Sequence, residues 1–281
     1  MEKLLIIDGN NLLFQMFYGL PKVVEKTSGR PIHGTIGFIS FVIKEIKVTG
    51  ATRALVVFDK DGAEDRIREF PQYKAQREDD WDNMEEDQVP FSQEEDIRKA
   101  LDYMEIKYVY SEGSEADDLI YSVAEEAKKE AEVVISSFDS DFFQLIDDGV
   151  SVLRFRGKAS VLWNKEKFYG EFSFSPSSYV LYKAILGDTS DNIPGVSGIG
   201  KKRAGVIVRH YEEHKRVDDA PLSDGLRRSL MDNWDTVERN MRLIRLIRME
   251  NIPSISSLRF NLSRVEEGNS RVLHAAGVFH S

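Results

Sequence analysis

Nine carboxylates fall in five short clusters along this chain: Asp8; Asp59; Glu115, Asp117 and Asp118; Asp139 and Asp141; Asp188 and Asp191. Acids gathered this densely would force some carboxyls to hold protons unless cations bind. A ligand set made of oxygen alone suits Mg²⁺ or Mn²⁺ and not zinc or copper. The first five acids read as one metal group and the last four as a second. Paired ions roughly 4 Å apart activate water and stabilise the leaving oxygen in phosphodiester hydrolysis. Each acid also has a plainer reading. An Asp after a strand commonly caps a helix or turn, and Ser114-Glu115-Ala116-Asp117 fits a capping box. Capping accounts for one or two acids of that turn and leaves the third unexplained.

The last pair sits in ILGDTSDNIPGVSGIGKKRAG, residues 185–205. Carboxylates repel phosphate, yet here they precede a glycine-rich, basic turn: Gly198, Ile199, Gly200, Lys201, Lys202 and Arg203. Glycine permits tight turns and close backbone approach, and free N–H groups at a helix start hold anions. A nucleic-acid phosphate is the anion expected, with the three cations adding charge. A GxG before a helix is also the signature of a simple loop.

The acids need elements that bring them to one place. KLLIID (3–8), ALVVFD (54–59), IKYVY (106–110) and EVVISSFD (132–139) read as buried parallel strands, and VSVLRF (150–155) as an extension. Helical patterns lie between them at 35–47, 92–104 and 115–130. Strands alternating with helices predict an α/β fold with a mostly parallel sheet flanked by helices, and ligands of such sheets bind beyond the carboxyl ends of the strands. Four consecutive strands deliver acid to that edge. Beyond about 170 the pattern turns helical, at 175–186, 201–211 and 235–249, so a catalytic α/β part (1–170) and a helical part (171–281) are predicted. Residues 64–91 are dense in charge and hold Tyr73, Trp81 and Met84, which reads as a solvated excursion from the sheet.

Composition bounds the function classes. The 281 residues are 41% hydrophobic and 31% charged, which suits a soluble globular chain. No apolar run approaches the ~20 residues of a membrane span, and MEKLLIIDGN is too short in apolar residues for a signal peptide. The absence of cysteine excludes disulfides and thiolate zinc sites and makes a cytoplasmic setting the default expectation. A net charge of −10 argues against a nucleic-acid binder, unless bound divalent ions cancel a local acid cluster.

In family order, the chain carries Ile6-Ile7-Asp8-Gly9-Asn10, Val57-Phe58-Asp59, Glu115-Ala116-Asp117-Asp118, Asp139-Ser140-Asp141, Gly187-Asp188-Thr189-Ser190-Asp191-Asn192-Ile193-Pro194-Gly195 and Gly198-Ile199-Gly200-Lys201. On these motifs, over about residues 4–211, it resembles the prokaryotic and bacteriophage 5′-nucleases. These are flap endonucleases, also found as the 5′-exonuclease domain of bacterial DNA polymerase I. The resemblance implies a PIN-like domain, two Mg²⁺ with Mn²⁺ able to substitute, and a helix–three-turn–helix at about 185–211 that holds duplex DNA with a K⁺ at the glycine turn. It makes 64–98 a helical arch through which a single-stranded 5′ end passes. Tyr73, Lys74 and Arg77 match the family's YKxxR, with Lys74 placed at the scissile phosphate; with Asp8 they are the catalytic residues implied. One departure is Gln15, where many relatives carry an arginine, and Arg68 is a cation that could supply the missing phosphate contact.

The expectation is therefore a monomeric, self-standing bacterial or phage enzyme that cuts DNA at 5′ flaps and 5′ ends, in replication or repair. Two rivals remain at this level. A PIN-type ribonuclease would share the acid pocket but have little use for the glycine–lysine grip. A non-catalytic binder of branched DNA would gain nothing from nine acids.

Overall fold

The computed structural model describes residues 2–26, 29–60, 62–76, 84–85 and 88–279. Its sheet has strand order β3-β2-β1-β4-β5-β6. The strands are β1 (Lys3–Asp8), β2 (Arg53–Phe58), β3 (Lys107–Tyr110), β4 (Glu132–Ser136), β5 (Val150–Arg154) and β6 (Val161–Trp163). The first five pair in parallel and only β6 runs antiparallel. The expected mixed α/β fold with a mostly parallel sheet is present. VSVLRF does extend it, whereas β6 has a three-residue span too short to stand out as a strand.

Alternation along the strands feeds two cores. Leu4, Ile6, Leu55, Val57, Val133 and Ile135 face one side, against α5 (Ala116–Ala127) and the helices beyond residue 171. Leu5, Ile7, Ala54, Val56 and Val134 face the other, against α1 (Gly9–Gly19), α2 (His33–Thr49) and α4 (Glu94–Tyr103). Helix α1 was not anticipated; Asp8 starts it by accepting the Asn11 N–H at 3.1 Å. Strand β4 stops at Ser136, short of Asp139; just past its end the Ser137 N–H still donates to the Leu153 carbonyl at 3.3 Å, and the Ser137 hydroxyl donates to Asp8.

The charged excursion starts as α3 (Glu64–Glu69) and a run of turns to residue 76. It is less of an excursion than its composition suggests. Phe70 and Tyr73 are core residues, Pro90 and Gln93 are buried, and from Glu94 the chain is in α4 with Ile97 fully enclosed. Arg77 and Trp81 lie outside the described residues.

Helices α6 (Lys165–Phe172) and α7 (Tyr179–Leu186) lead to a tight hairpin, β7 (Gly187–Asp188) with β8 (Ile193–Pro194). Gly187 has φ +78°, and a Cβ there would stand 2.3 Å from the Gly195 nitrogen, so no side chain fits. After it come α8 (Lys201–His214), α9 (Asp224–Asp232), which has no counterpart in the expected elements, and α10 (Trp234–Ile244). Helix α10 ends five residues before the expected Met249. The next N–H groups find side-chain acceptors instead: Leu246 on Gln144 (3.2 Å), Ile247 on Asp118 (2.8 Å) and Met249 on Ser122 (2.7 Å). The chain then returns to the sheet. Helices α11 (Leu262–Glu266) and α12 (Asn269–Ala275) place Val265, Val272 and Leu273 in the second core, beside α2 and α4. Residues 262–275 thus pack beside α2 and α4, on the second face of the sheet.

Candidate active site

The carboxyl edge of the sheet gathers the acids because β1 sits at the topological switch point. Its successor β2 lies on one side and β4 on the other. Asp8 at the tip of β1 is buried and accepts from the Asn11 N–H and, at 2.8 Å, from the Ser137 hydroxyl. Burial raises its carboxyl to about 6 against those two bonds, and Asp139 and Asp59 add to the rise. Asp117, on the first turn of α5, is pushed well up by burial, then by Asp139 and Asp8. Asp141 rises to about 7 by burial and the Asp139 charge, with Lys183 opposing. One carboxylate, Asp139, thus acts on three others. Such a pocket holds more negative charge than its cations offset.

The second group forms around the β7–β8 hairpin. Carboxylate oxygens of Asp141, Asp188 and Asp191 lie within 4.8 Å of one another. Between the first two sits a residue that sequence reasoning missed. Lys183, on α7 and 7% exposed, donates to both Asp141 and Asp188. Burial opposes its charge, but Asp141, Asp188 and Asp139 raise its pKa. Burial would also raise Asp188, yet Lys183 and Ser190 hold it down at about 2. The signal was a lone lysine in the otherwise apolar run YVLYKAIL.

Glu115 and Asp118 behave differently from the expected ligands. Asp118 is fully buried, and both of its oxygens are taken. Arg66 pairs with them at 2.8 and 2.9 Å, Ser114 donates at 2.6 Å and the Ile247 N–H at 2.8 Å. In this structure both oxygens are engaged by protein groups. Glu115 is met by Arg66 at 2.5 Å, by the Tyr73 hydroxyl at 3.0 Å and by Lys74. Asp59 is exposed at the rim. Its Oδ1 accepts from Ser111 (3.0 Å) and from the Ala116 N–H (3.2 Å), which makes it a cap for α5.

Arg66, also missed, replaces Arg68 as the cation at the pocket. The two are neighbours on α3, but Arg68 points outward to Asp65 at 3.0 Å, while Arg66 is buried and also donates to the carbonyls of Leu243 and Arg245. Gln15 turns to Asn11 at 3.4 Å. Lys74 and Tyr73 do meet the acids, and the base of their segment is stitched to the hairpin by Asn192 to the Gln72 carbonyl at 2.9 Å and by Gln76 to Thr189.

At the glycine turn, Gly198 has φ +79° and needs to be glycine, whereas Gly200 has φ −91° and open space where a Cβ would be. Gly200 precedes α8 with no side chain capping it, so the first N–H groups of α8 face outward. Ile199 is buried. Lys201 and Lys202 are exposed, but Arg203 folds back onto the Gly198 carbonyl at 2.8 Å and braces the turn. A groove of about 1320 Å³ runs from Asp139, Lys183 and Asp188 to Lys201, Lys202 and Arg209. The groove thus joins Asp139 and Asp188, at the margin of the acid cluster, to the basic end of α8.

Comparison with known proteins shows the family. The family profile for the 5′-3′ exonuclease N-terminal resolvase-like domain matches residues 3–173, and that for the 5′-3′ exonuclease C-terminal SAM fold matches 174–265. The chain is 33% identical over 222 residues to a 5′-3′ exonuclease of Bacillus subtilis, covering 77% of this chain and 73% of that one. It is 33% identical over 220 residues to DNA polymerase I of Caldicellulosiruptor bescii, covering 76% of this chain but about a quarter (25%) of that polymerase. In fold it resembles a crystal structure of the bacteriophage T5 flap endonuclease in a complex with DNA and metal ions. The TM-score is 0.70 at 22% identity, over 98% of this chain and 100% of that one.

Proposed function

The chain belongs to the 5′-3′ exonuclease family, and from that premise we propose that it is a metal-dependent, structure-specific 5′-nuclease that hydrolyses DNA at 5′ flaps and at 5′ ends of duplexes. The observation that carries this reading is the groove that joins Asp139 and Asp188 to the amino end of α8. A ribonuclease acting on single strands would not need the second end, and a mere binder would not need the first.

The donor set fits divalent cations. It is all oxygen, its members raise one another's proton affinity, and buried lysine and arginine already answer part of its charge. In this proposal Asp8, Asp117 and Asp139 would hold one Mg²⁺ or Mn²⁺, with Asp59 at the rim. Asp141, Asp188 and Asp191 would hold a second. Glu115 joins as a ligand only by releasing Lys74. When bound, such ions neutralise charge at the scissile phosphate and lower the pKa of water there.

The chain's own groups do the rest. Lys74 would stabilise negative charge growing on the phosphate, and Tyr73 holds the Glu115 carboxylate beside it. Lys201, Lys202 and the first N–H groups of α8 would take duplex backbone, a contact that carries no base information. The K⁺ expected at this turn finds the Gly198 carbonyl already bonded to Arg203. The division into a catalytic part to about 170 and a duplex-holding part beyond it belongs to this proposal, as does action as a monomer in replication or repair. No described helix is long and apolar enough to cross a membrane.

The test is cleavage of an end-labelled 5′-flap DNA beside a single-stranded RNA, with Mg²⁺ and with chelator. Flap cleavage that requires the ion is expected. Preference for the RNA, or full activity in chelator, would overturn the reading.

A further inference from the structure

The β7–β8 hairpin carries Asp188 and Asp191 but has little to hold its own shape. Each strand is two residues long, and the Val196 N–H adds one bond to the Ile185 carbonyl at 2.8 Å. Isolated hairpins of this size are marginal. Lys183 links Asp188 to Asp141, and Asn192, Gln76 and Lys74 tie the turn to the charged segment, which leaves the two ends of the hairpin to be held from another side.

Helix α10 supplies the only fully buried polar residue of its inner face. Val237, Asn240, Leu243 and Ile244 form that face, and Asn240 is 0% exposed. Its amide nitrogen donates to the Ala184 carbonyl at 3.0 Å and to the Pro194 carbonyl at 2.7 Å. Its oxygen accepts from Arg239 at 3.1 Å, which fixes the amide orientation. Ala184 lies in the last turn of α7, where carbonyls have no helical partner. Pro194 is the last residue of β8. One amide thus ties the chain entering the hairpin to the chain leaving it. An apolar residue would fill the same space on this stripe without holding either end.

We propose that Asn240 is a positioning residue for the Asp188–Asp191 hairpin, setting where these carboxylates stand against Asp141. The inference rests on the nuclease reading above, since it concerns the ion group that reading assigns. Asn240 touches neither ion nor DNA; it acts through the two carbonyls.

The experiment compares wild type with Asn240→Leu, which fills the space without donors. Asn240→Ser, smaller and keeping one donor, carries the comparison if the leucine variant does not fold. Thermal unfolding is followed while Mn²⁺ alone is titrated, and flap cleavage is measured in parallel. The Mn²⁺ midpoint for thermal stabilisation should rise about tenfold, the low end for losing a group that orients metal ligands. KM for the flap should stay as in wild type, and kcat should recover at saturating Mn²⁺. A fall in Tm in chelator with an unchanged Mn²⁺ midpoint makes Asn240 a scaffold residue only and overturns the proposal. A raised KM with an unchanged midpoint overturns it too. A wild type that neither cleaves the flap nor gains stability from Mn²⁺ refutes the nuclease reading itself.

Discussion

Lys74 donates its main-chain N–H to the carbonyl oxygen of Asp191 at 3.0 Å, while its ammonium reaches Glu115. The residue sits at φ 54°, a conformation that costs energy for a lysine and persists only where surroundings impose it. The base of the charged segment and the second acid group are thus joined through backbone, with the ammonium aimed into the pocket.

Lys74→Ala should therefore act on turnover. Loss of one well-placed charge donor lowers kcat by about 10²–10³-fold. Flap affinity, measured by fluorescence anisotropy in chelator, should change little. A loss confined to affinity would reduce Lys74 to a backbone contact.

Asp117→Asn removes one carboxylate from the crowded end of the pocket. Cleavage should fall by at least about 10²-fold, since charge neutralisation by the ion contributes several kcal/mol. DNA binding should hold or tighten, because a group that repels phosphate is gone. Parallel gel cleavage and anisotropy titrations check both halves.

Lys183→Met leaves Asp141 and Asp188 facing each other without their shared cation. Breaking a buried pair on one side costs about 3 kcal/mol. Urea denaturation in chelator should show that loss, and saturating Mn²⁺ should offset most of it. Equal stability of variant and wild type in chelator would mean the lysine is not the counter-ion described.

Glu45, on α2, accepts from Ser136 at 2.6 Å through one oxygen and buries the other without a partner. Burial raises its carboxyl to about 7, against that bond. The folded state thus holds the proton more tightly than the unfolded chain. Wild type keeps its full stability below the ordinary glutamate value of 4.5, loses it as pH rises to about 7, and loses no more above. Glu45→Gln should stabilise by about 3 kcal/mol at pH 8 and by nothing at pH 4.5. Denaturation midpoints at the two pH values test the sign.

Gly200→Val adds a side chain where nothing lies within 4 Å and φ is ordinary. Its cost to folding should stay within about 1 kcal/mol, the range of helix-cap preference. Duplex binding should nevertheless weaken, independent of sequence, because the added methyls stand before the N–H groups of α8. Gly187→Ala is the contrast: at φ +78°, its methyl would meet backbone and disrupt the hairpin. Unimpaired duplex binding by Gly200→Val would show that the turn does not grip phosphate.

Much of the site was legible locally. Short, continuously apolar runs with an acid after each placed Asp8, Asp59 and the Glu115–Asp118 turn at one sheet edge. The glycine spacing placed a helix start at Lys201. These are properties of a residue and its near neighbours, so the chain alone determined them.

Which acid stands in the crowded pocket and which is held by a cation was decided by tertiary structure. Asp117 and Asp118 are adjacent, yet one faces the crowded pocket and the other is locked onto Arg66, 52 positions away. Lys183 meets Asp141 across 42 positions, and Asn240 meets Ala184 across 56. Nor could Arg66 be told from Arg68 until α3 showed which side it turned to the core. A buried charge is defined by its partner and by the water it has lost, and both come from elements that meet only when the chain folds.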